Sequence, residues 1–119
     1  MSIYQEIILD HYHNPHNFGS LKSPTKKNQT LNPSCGDKIT MEVVDKDGKV
    51  VEIAFSGEGC AISLASASML TDFAKGKSLE ELKKLTPDSI ISMLGIEVSP
   101  SRLKCALLPL EALKKLVLE

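Results

Sequence analysis

Tryptophan is absent, aromatic residues make up only 4% of the chain, and neither sign of charge dominates. Few rings leave little on which bases could stack. A near balance of 14 Lys and Arg against 15 Asp and Glu leaves no basic footprint, so nucleic acid is excluded as a partner. No apolar run approaches the roughly 18 residues of a membrane span. The first residues carry Glu6 and Asp10 where a signal peptide would have a basic end and then an apolar stretch. These absences point to a cytoplasmic protein without a membrane partner. Cysteine is scarce and odd in number: Cys35, Cys60 and Cys105 cannot all pair within one chain, so free thiols are expected. At 119 residues the chain is read as one domain, 1–119, large enough for a core without disulfides.

What is there is organised around those cysteines. Asn32-Pro33-Ser34-Cys35-Gly36-Asp37 sets a thiol and a carboxylate two residues apart on a bend. Pro33 fixes φ and Gly36 can take positive φ. A soft and a hard ligand on one turn point to a metal site or a reactive thiol, whereas the plain alternative is a surface turn with a packed cysteine. Cys60 closes Phe55-Ser56-Gly57-Glu58-Gly59-Cys60, where the chain turns off a strand into a helix. A helix start stabilises a thiolate, and two glycines are more than a plain strand–helix link needs. Cys105 follows Arg102-Leu103-Lys104, and Pro109 lies four residues on, so a helix there is expected to kink or break just past the thiol. Leu103 and Leu107 are expected to face the core and turn Cys105 toward a rim. With Asp37 the three cysteines form an S₃O set that zinc accepts, and thiolates also hold iron–sulfur clusters, although the spacings match no zinc-finger pattern.

The remainder supplies the scaffold. Residues 3–12 read as an amphipathic helix with Ile3, Ile7, Tyr4 and Ile8 on one side, ending at Asn14-Pro15. His11, His13 and His16 resemble a ligand cluster, but residues two apart diverge on a helix, so a solvated helix end is the preferred reading. Residues 19–28 read as a loop. Ile39, Met41 and Val43, then Val51, Ile53 and Phe55, alternate with other residues across an Asp45-Lys46-Asp47-Gly48 turn and predict a hairpin. Gln29-Thr30-Leu31 adds a third strand. Helices follow from Ala61 to Lys75 before Gly76, from the capping box at Ser78 to about Leu85, from Pro87 to Leu94, and from Pro100 with Leu103, Leu107, Leu110, Leu113 and Val117 on one stripe. Strands before helices make the fold class α+β, a small antiparallel sheet of about three strands with helices on one face.

The three cysteine segments, with Ala61-Ile62-Ser63 and Ala65-Ser66-Ala67-Ser68-Met69 after the second and Ala106 after the third, resemble the motifs of the U-type iron–sulfur cluster assembly proteins, which comprise IscU, SufU and the N-terminal domain of NifU. Asp10-His11-Tyr12-His13-Asn14-Pro15 and Asn17-Phe18-Gly19 are similar to that family's opening segment. The resemblance implies a SufE/NifU-like fold and a shared site made of Cys35, Asp37, Cys60 and Cys105. It implies a cysteine desulfurase that delivers persulfide sulfur, and downstream iron–sulfur carrier or assembly proteins as further partners. Within the family, IscU-like members carry His-Cys where this chain has Lys104-Cys105, and their chaperone-recognition motif is not matched. Gly-Glu-Gly-Cys and Arg-x-Lys-Cys are similar to SufU, yet the 44 residues between Cys60 and Cys105 lack SufU's usual insertion.

The resemblance leaves two roles: a scaffold holding iron or a nascent [2Fe-2S] cluster, or a zinc-dependent sulfurtransferase carrying sulfur onward. Four anionic ligands would leave bound zinc with a double negative charge, which Arg102 and Lys104 are placed to offset, so the isolated protein is expected to carry Zn²⁺. Cys35 is the expected persulfide acceptor, with Cys105 as runner-up. Tyr4, His11, Asn14 and Pro15 are expected to contact partners. A reading from another class is a zinc-stabilised structural or adaptor domain without sulfur chemistry, binding through residues 11–19.

Overall fold

Alternating Ile39, Met41 and Val43 are what commit the centre of the chain to a half-buried strand, and all three are fully buried in the computed structural model. The structure describes residues 2–33 and 36–118. Its elements in order are α1 (Ile3–His13), β1 (Lys26–Leu31), β2 (Lys38–Lys46), β3 (Lys49–Glu58), α2 (Ala61–Ala74), α3 (Leu79–Lys83), α4 (Pro87–Leu94) and α5 (Pro100–Val117). The strands form one antiparallel sheet in the order β1–β2–β3. Its apolar face packs with Leu70 of α2 and Leu108 and Leu113 of α5 in one core. The α+β architecture read from the sequence is the one observed.

The hairpin turns at Asp47–Gly48, both at positive φ, the pair that a two-residue turn favours. Farther along, the expected alternation on β3 slips. Val44 pairs with Glu52 but Asp45 pairs with Val50, which leaves Val51 as the extra residue of a β-bulge. Val50 therefore enters the core and Val51 stays 48% exposed, the reverse of the simple period-two reading. The outer edge of β3 is covered at both ends. Phe55 exchanges backbone hydrogen bonds with Asn17 and Gly19, and Val50 does so with Gly76 and Lys77. Such cover removes a template for edge-to-edge pairing.

Three other expectations need correction. β1 begins at Lys26, so the loop after α1 is shorter than the composition of residues 19–28 implies. In α1 only Ile8 is buried, while Ile3, Tyr4 and Ile7 remain exposed, because one neighbour, α2, covers a single narrow stripe. Finally, α5 runs unbroken from Pro100 through Pro109 to Val117. Tertiary packing retains the helix across the missing N–H of Pro109. Leu103 and Leu107 are only half-buried, whereas Ala106, Leu108, Leu110, Leu113, Leu116 and Val117 are buried, since α2, α3, α4 and the sheet enclose the helix from several sides.

Helix ends follow local chemistry. Ser2 with Gln5, Ser78 with Glu81 and Thr86 with Ser89 each form a reciprocal capping box. The buried set makes a direct prediction. Leu113→Ala should cost about 2–5 kcal/mol in urea unfolding, whereas Val51→Thr should stay within about 0.5 kcal/mol. Equal losses would contradict the bulge.

Candidate metal centre

Three chain junctions deliver the polar side chains that meet at one end of the sheet. The first is the turn before β2. The Asn32 N–H donates to the Asp37 carbonyl and the Gly36 N–H to the Asn32 carbonyl, each at 2.8 Å, with Gly36 at a φ of 80° as its sequence position anticipates. Asp37 is thereby placed just ahead of β2, buried. The second junction leaves β3: Cys60 is the N-cap of α2 in extended geometry. Its side chain makes no capping bond, and Ser63 Oγ donates to the Cys60 carbonyl at 3.1 Å while standing 3.9 Å from Cys60 Sγ. The third is the second turn of α5, which presents Cys105, 7% exposed.

One ligand atom each from Asp37, Cys60 and Cys105 lies within 4.8 Å of the others. Asp37 Oδ2 is buried and makes no hydrogen bond. A buried carboxylate oxygen without a partner is expensive unless a cation or a donor meets it. Two thiols and a carboxylate oxygen are donors that zinc accepts. With Zn–S near 2.3 Å and Zn–O near 2.0–2.2 Å, ligand atoms around one ion lie roughly 3.3–3.8 Å apart, so only a slight closing is required. The residues present therefore fit the metal that the sequence implies. Cys35, the remaining member of the expected set, lies outside the described residues.

Gly59 holds this arrangement together, a role the sequence reading assigned only to turning the chain. A Cβ at Gly59 would collide with Ser63 Oγ and stand 3.2 Å from Asp37 Cγ, so the missing side chain leaves room for the Ser63 hydroxyl and lets the carboxylate pack close by. Ser63, fully buried beside Cys60, is a second supporting residue that its place among small residues does not distinguish. The signal was a glycine immediately before an N-cap cysteine, with a hydroxyl three residues later. Arg102 and Lys104 are both exposed and flank Cys105 on different sides. Arg102 borders a cavity with Ile62 and Ile96, and Lys104 borders one with Asn32 and Pro33.

The N-terminal candidates are dispersed. The Tyr4 ring lies over Gly95, Asn14 caps α1 by donating its backbone N–H to the Asp10 carbonyl, and Pro15 follows it. The histidines are not a plain solvated helix end. His11 Nδ1 meets Ser68 Oγ at 2.7 Å, and His16 Nδ1 meets Asp72 Oδ2 at 2.5 Å. The turn at Asn14–Pro15 swings His16 back beside His11, while His13 contacts Tyr12 instead.

A family model described as the NifU-like N-terminal domain matches residues 3–119. The chain belongs to this family. It is 39% identical over 132 aligned positions to the zinc-dependent sulfurtransferase SufU of Bacillus subtilis, covering 96% of this chain and 88% of that one. It is 33% identical over 117 residues to the iron–sulfur cluster assembly scaffold protein IscU 1 of Archaeoglobus fulgidus, covering 98% and 76%. The crystal structure of FiSufU from Fervidobacterium islandicum AW-1 superposes with a TM-score of 0.77 at 27% identity, over 94% of both chains. The alignment with the Bacillus protein is longer than this 119-residue chain, so that relative carries residues absent here.

Two predictions follow from this geometry. Gly59→Ala should displace the Ser63 hydroxyl, crowd Asp37 and weaken zinc binding at least tenfold, read by competition with a chelating dye, with the far-ultraviolet circular dichroism unchanged. Unchanged affinity would remove Gly59 from the site. The second concerns pH. Burial, then the neighbouring His16, lowers the His11 pKa below 6.5, although Asp72 and Asp10 oppose this. The unfolded chain then binds the proton more readily, so stability is full above 6.5 and falls as pH drops through the folded value. Urea midpoints should decline from pH 7 to pH 5, and His11→Gln should flatten that decline.

Proposed function

We propose that this protein works in iron–sulfur cluster assembly as the acceptor of persulfide sulfur from a cysteine desulfurase, with Cys35, Asp37, Cys60 and Cys105 as its working site. The observation that carries the reading is the cluster of Cys60, Cys105 and the buried Asp37 carboxylate, one of whose oxygens has no hydrogen-bond partner. Cys35 is two residues before Asp37, and chain geometry keeps their Cα atoms within about 7 Å, so a fourth ligand is within reach. A three-thiolate, one-carboxylate set suits resident Zn²⁺ in the manner of a SufU-like sulfurtransferase. Zinc, when bound, holds the thiols as thiolates and neutralises the buried carboxylate.

Cys60 is fixed at a helix N-cap and Cys105 inside a helix, so neither can move without disturbing α2 or α5. Cys35, which follows Pro33 and precedes Gly36 in the sequence, is the thiol proposed to take the sulfur. Its thiolate attacks the terminal sulfur of the desulfurase persulfide, forming a new S–S bond here and releasing the desulfurase cysteine as a thiolate. Asp37, the hard ligand, completes the soft thiolate set. Arg102 and Lys104 offset the negative charge of the assembled site. Tyr4, Asn14 and Pro15, with the uncovered Ile3 and Ile7, supply a surface for the desulfurase, and His11 stands at its inner margin. Among the described residues no helix is long and apolar enough to cross a membrane. Thiol chemistry of this kind needs a reducing compartment, which supports a cytoplasmic setting.

A scaffold role, in which the same four residues hold iron or a nascent [2Fe-2S] cluster as cargo, has the IscU-named relatives in its favour. One experiment separates the two. The protein purified without added metal should contain close to one zinc per chain by elemental analysis. Incubated anaerobically with desulfurase, cysteine and ferrous iron, it should stimulate the desulfurase without developing a stable cluster spectrum. Mass spectrometry should find the persulfide on Cys35. A stable cluster spectrum establishes the scaffold role instead, and persulfide only on Cys105 overturns the choice of acceptor. No bound zinc together with weak zinc uptake overturns the resident metal.

A further inference from the structure

The histidine cluster stands apart from the sulfur chemistry. Ser68 follows Cys60 by eight residues and Asp72 by twelve, which puts them about 12 and 18 Å along the α2 axis from the cysteine. There, one ring nitrogen each of His11 and His16 and one carboxylate oxygen of Asp72 lie within 4.8 Å of one another, with the two imidazole centroids 4.6 Å apart. The three side chains come from three separate segments: the end of α1, the connection after it, and α2.

We propose that His11, His16 and Asp72 form a second metal site, for a divalent first-row transition ion such as zinc, cobalt or ferrous iron. Two imidazoles and a carboxylate are the donor set such ions take with positions left open to water, and thiolate is not needed. The surroundings support the donors as ligand shells do. Ser68, fully buried, accepts the His16 backbone N–H at 2.8 Å and holds His11 Nδ1 at 2.7 Å through the same oxygen. With Nδ1–H given to that oxygen, His11 Nε2 keeps its lone pair for a metal. Asn17 donates to Asp72 Oδ1 at 2.9 Å and is itself held by Lys75 Nζ at 2.8 Å. Metal binding would exchange the His16 Nδ1···Asp72 Oδ2 hydrogen bond for two coordinate bonds. His13 takes no part, because it points toward Tyr12.

The test uses the full chain without an affinity tag, with its cysteine site already filled by zinc. Cobalt(II) titrated into it should bind one further equivalent, giving ligand-field bands without the thiolate charge-transfer absorption of a cysteine site. Bound cobalt should raise the thermal midpoint, since only the folded chain brings the three residues together. His16→Ala and the near-isosteric Asp72→Asn should each weaken the second equivalent at least tenfold and leave the first intact, while His13→Ala should change neither. If cobalt does not bind beyond the cysteine site, His16 and Asp72 are an ion pair that only straps the connection onto α2, and the proposal fails. It also fails if the second equivalent survives both Asp72→Asn and His16→Ala, or is lost in His13→Ala.

Discussion

The carboxylate of Asp37 is buried beside Gly59 with one oxygen unmet, and an uncompensated buried charge of that kind costs several kcal/mol. The fold keeps it there because four elements depend on the same few atoms. β2 starts one residue after Asp37, and β3 runs antiparallel to β2, so the end of β3 returns to the start of β2 with Glu58 opposite Lys38. Gly59 and Cys60 then lie beside Asp37 by register alone. α2 begins at that point, and α5 crosses it to add Cys105. Moving the carboxylate away would require either the strand register or the helix start to change. The site's geometry is thus a consequence of hairpin pairing rather than of any loop searching for its partner.

This dependence explains which features could be read in advance. The hairpin, its Asp47–Gly48 turn, the Ser78–Glu81 box and the junction position of Cys60 are set by residues within a few positions of each other. Their chemistry acts locally, and local chemistry is visible in a sequence. The misreadings share the opposite property. Whether Val50 or Val51 faces inward depends on a bulge in the pairing with β2, and nothing in Val-Val-Glu-Ile distinguishes the two. Leu103 and Leu107 lose the core to Leu108 and Leu116 because α5 is enclosed on more than one side. The exposed apolar residues of α1 are the same case reversed: an amphipathic pattern gives a stripe, but the neighbours decide how wide a stripe is covered.

Proline 109 shows how tertiary context outweighs a local rule. In an isolated helix a central proline costs about 3 kcal/mol, which is why the sequence predicts a kink or a break past Cys105. In α5 the ring is buried among apolar neighbours, and burial of that surface offsets part of the lost hydrogen bond. Ser66 Oγ meanwhile donates to the Ala106 carbonyl at 2.7 Å, tying α5 to α2 one residue beyond the thiol. The helix therefore carries Cys105 on a rigid support.

That tie belongs to a wider pattern on α2, whose small residues let several elements approach its backbone. Four of its hydroxyls are buried, and each serves a different neighbour. Ser63 sits beside Cys60, Ser66 bonds α5, Ser68 receives His16 and holds His11, and Thr71 takes the Asn17 side chain at 3.0 Å. Replacing them by alanine would keep the close packing but leave the Asn17 and His16 donors unmet, which is costlier than losing the bonds alone. The helix thus acts as a polar spine inside an apolar core. Its first turn supports the thiol and carboxylate, and its last two turns support the histidines. The two clusters are held by one rigid element but share no ligand, so chemistry at one end need not disturb the other.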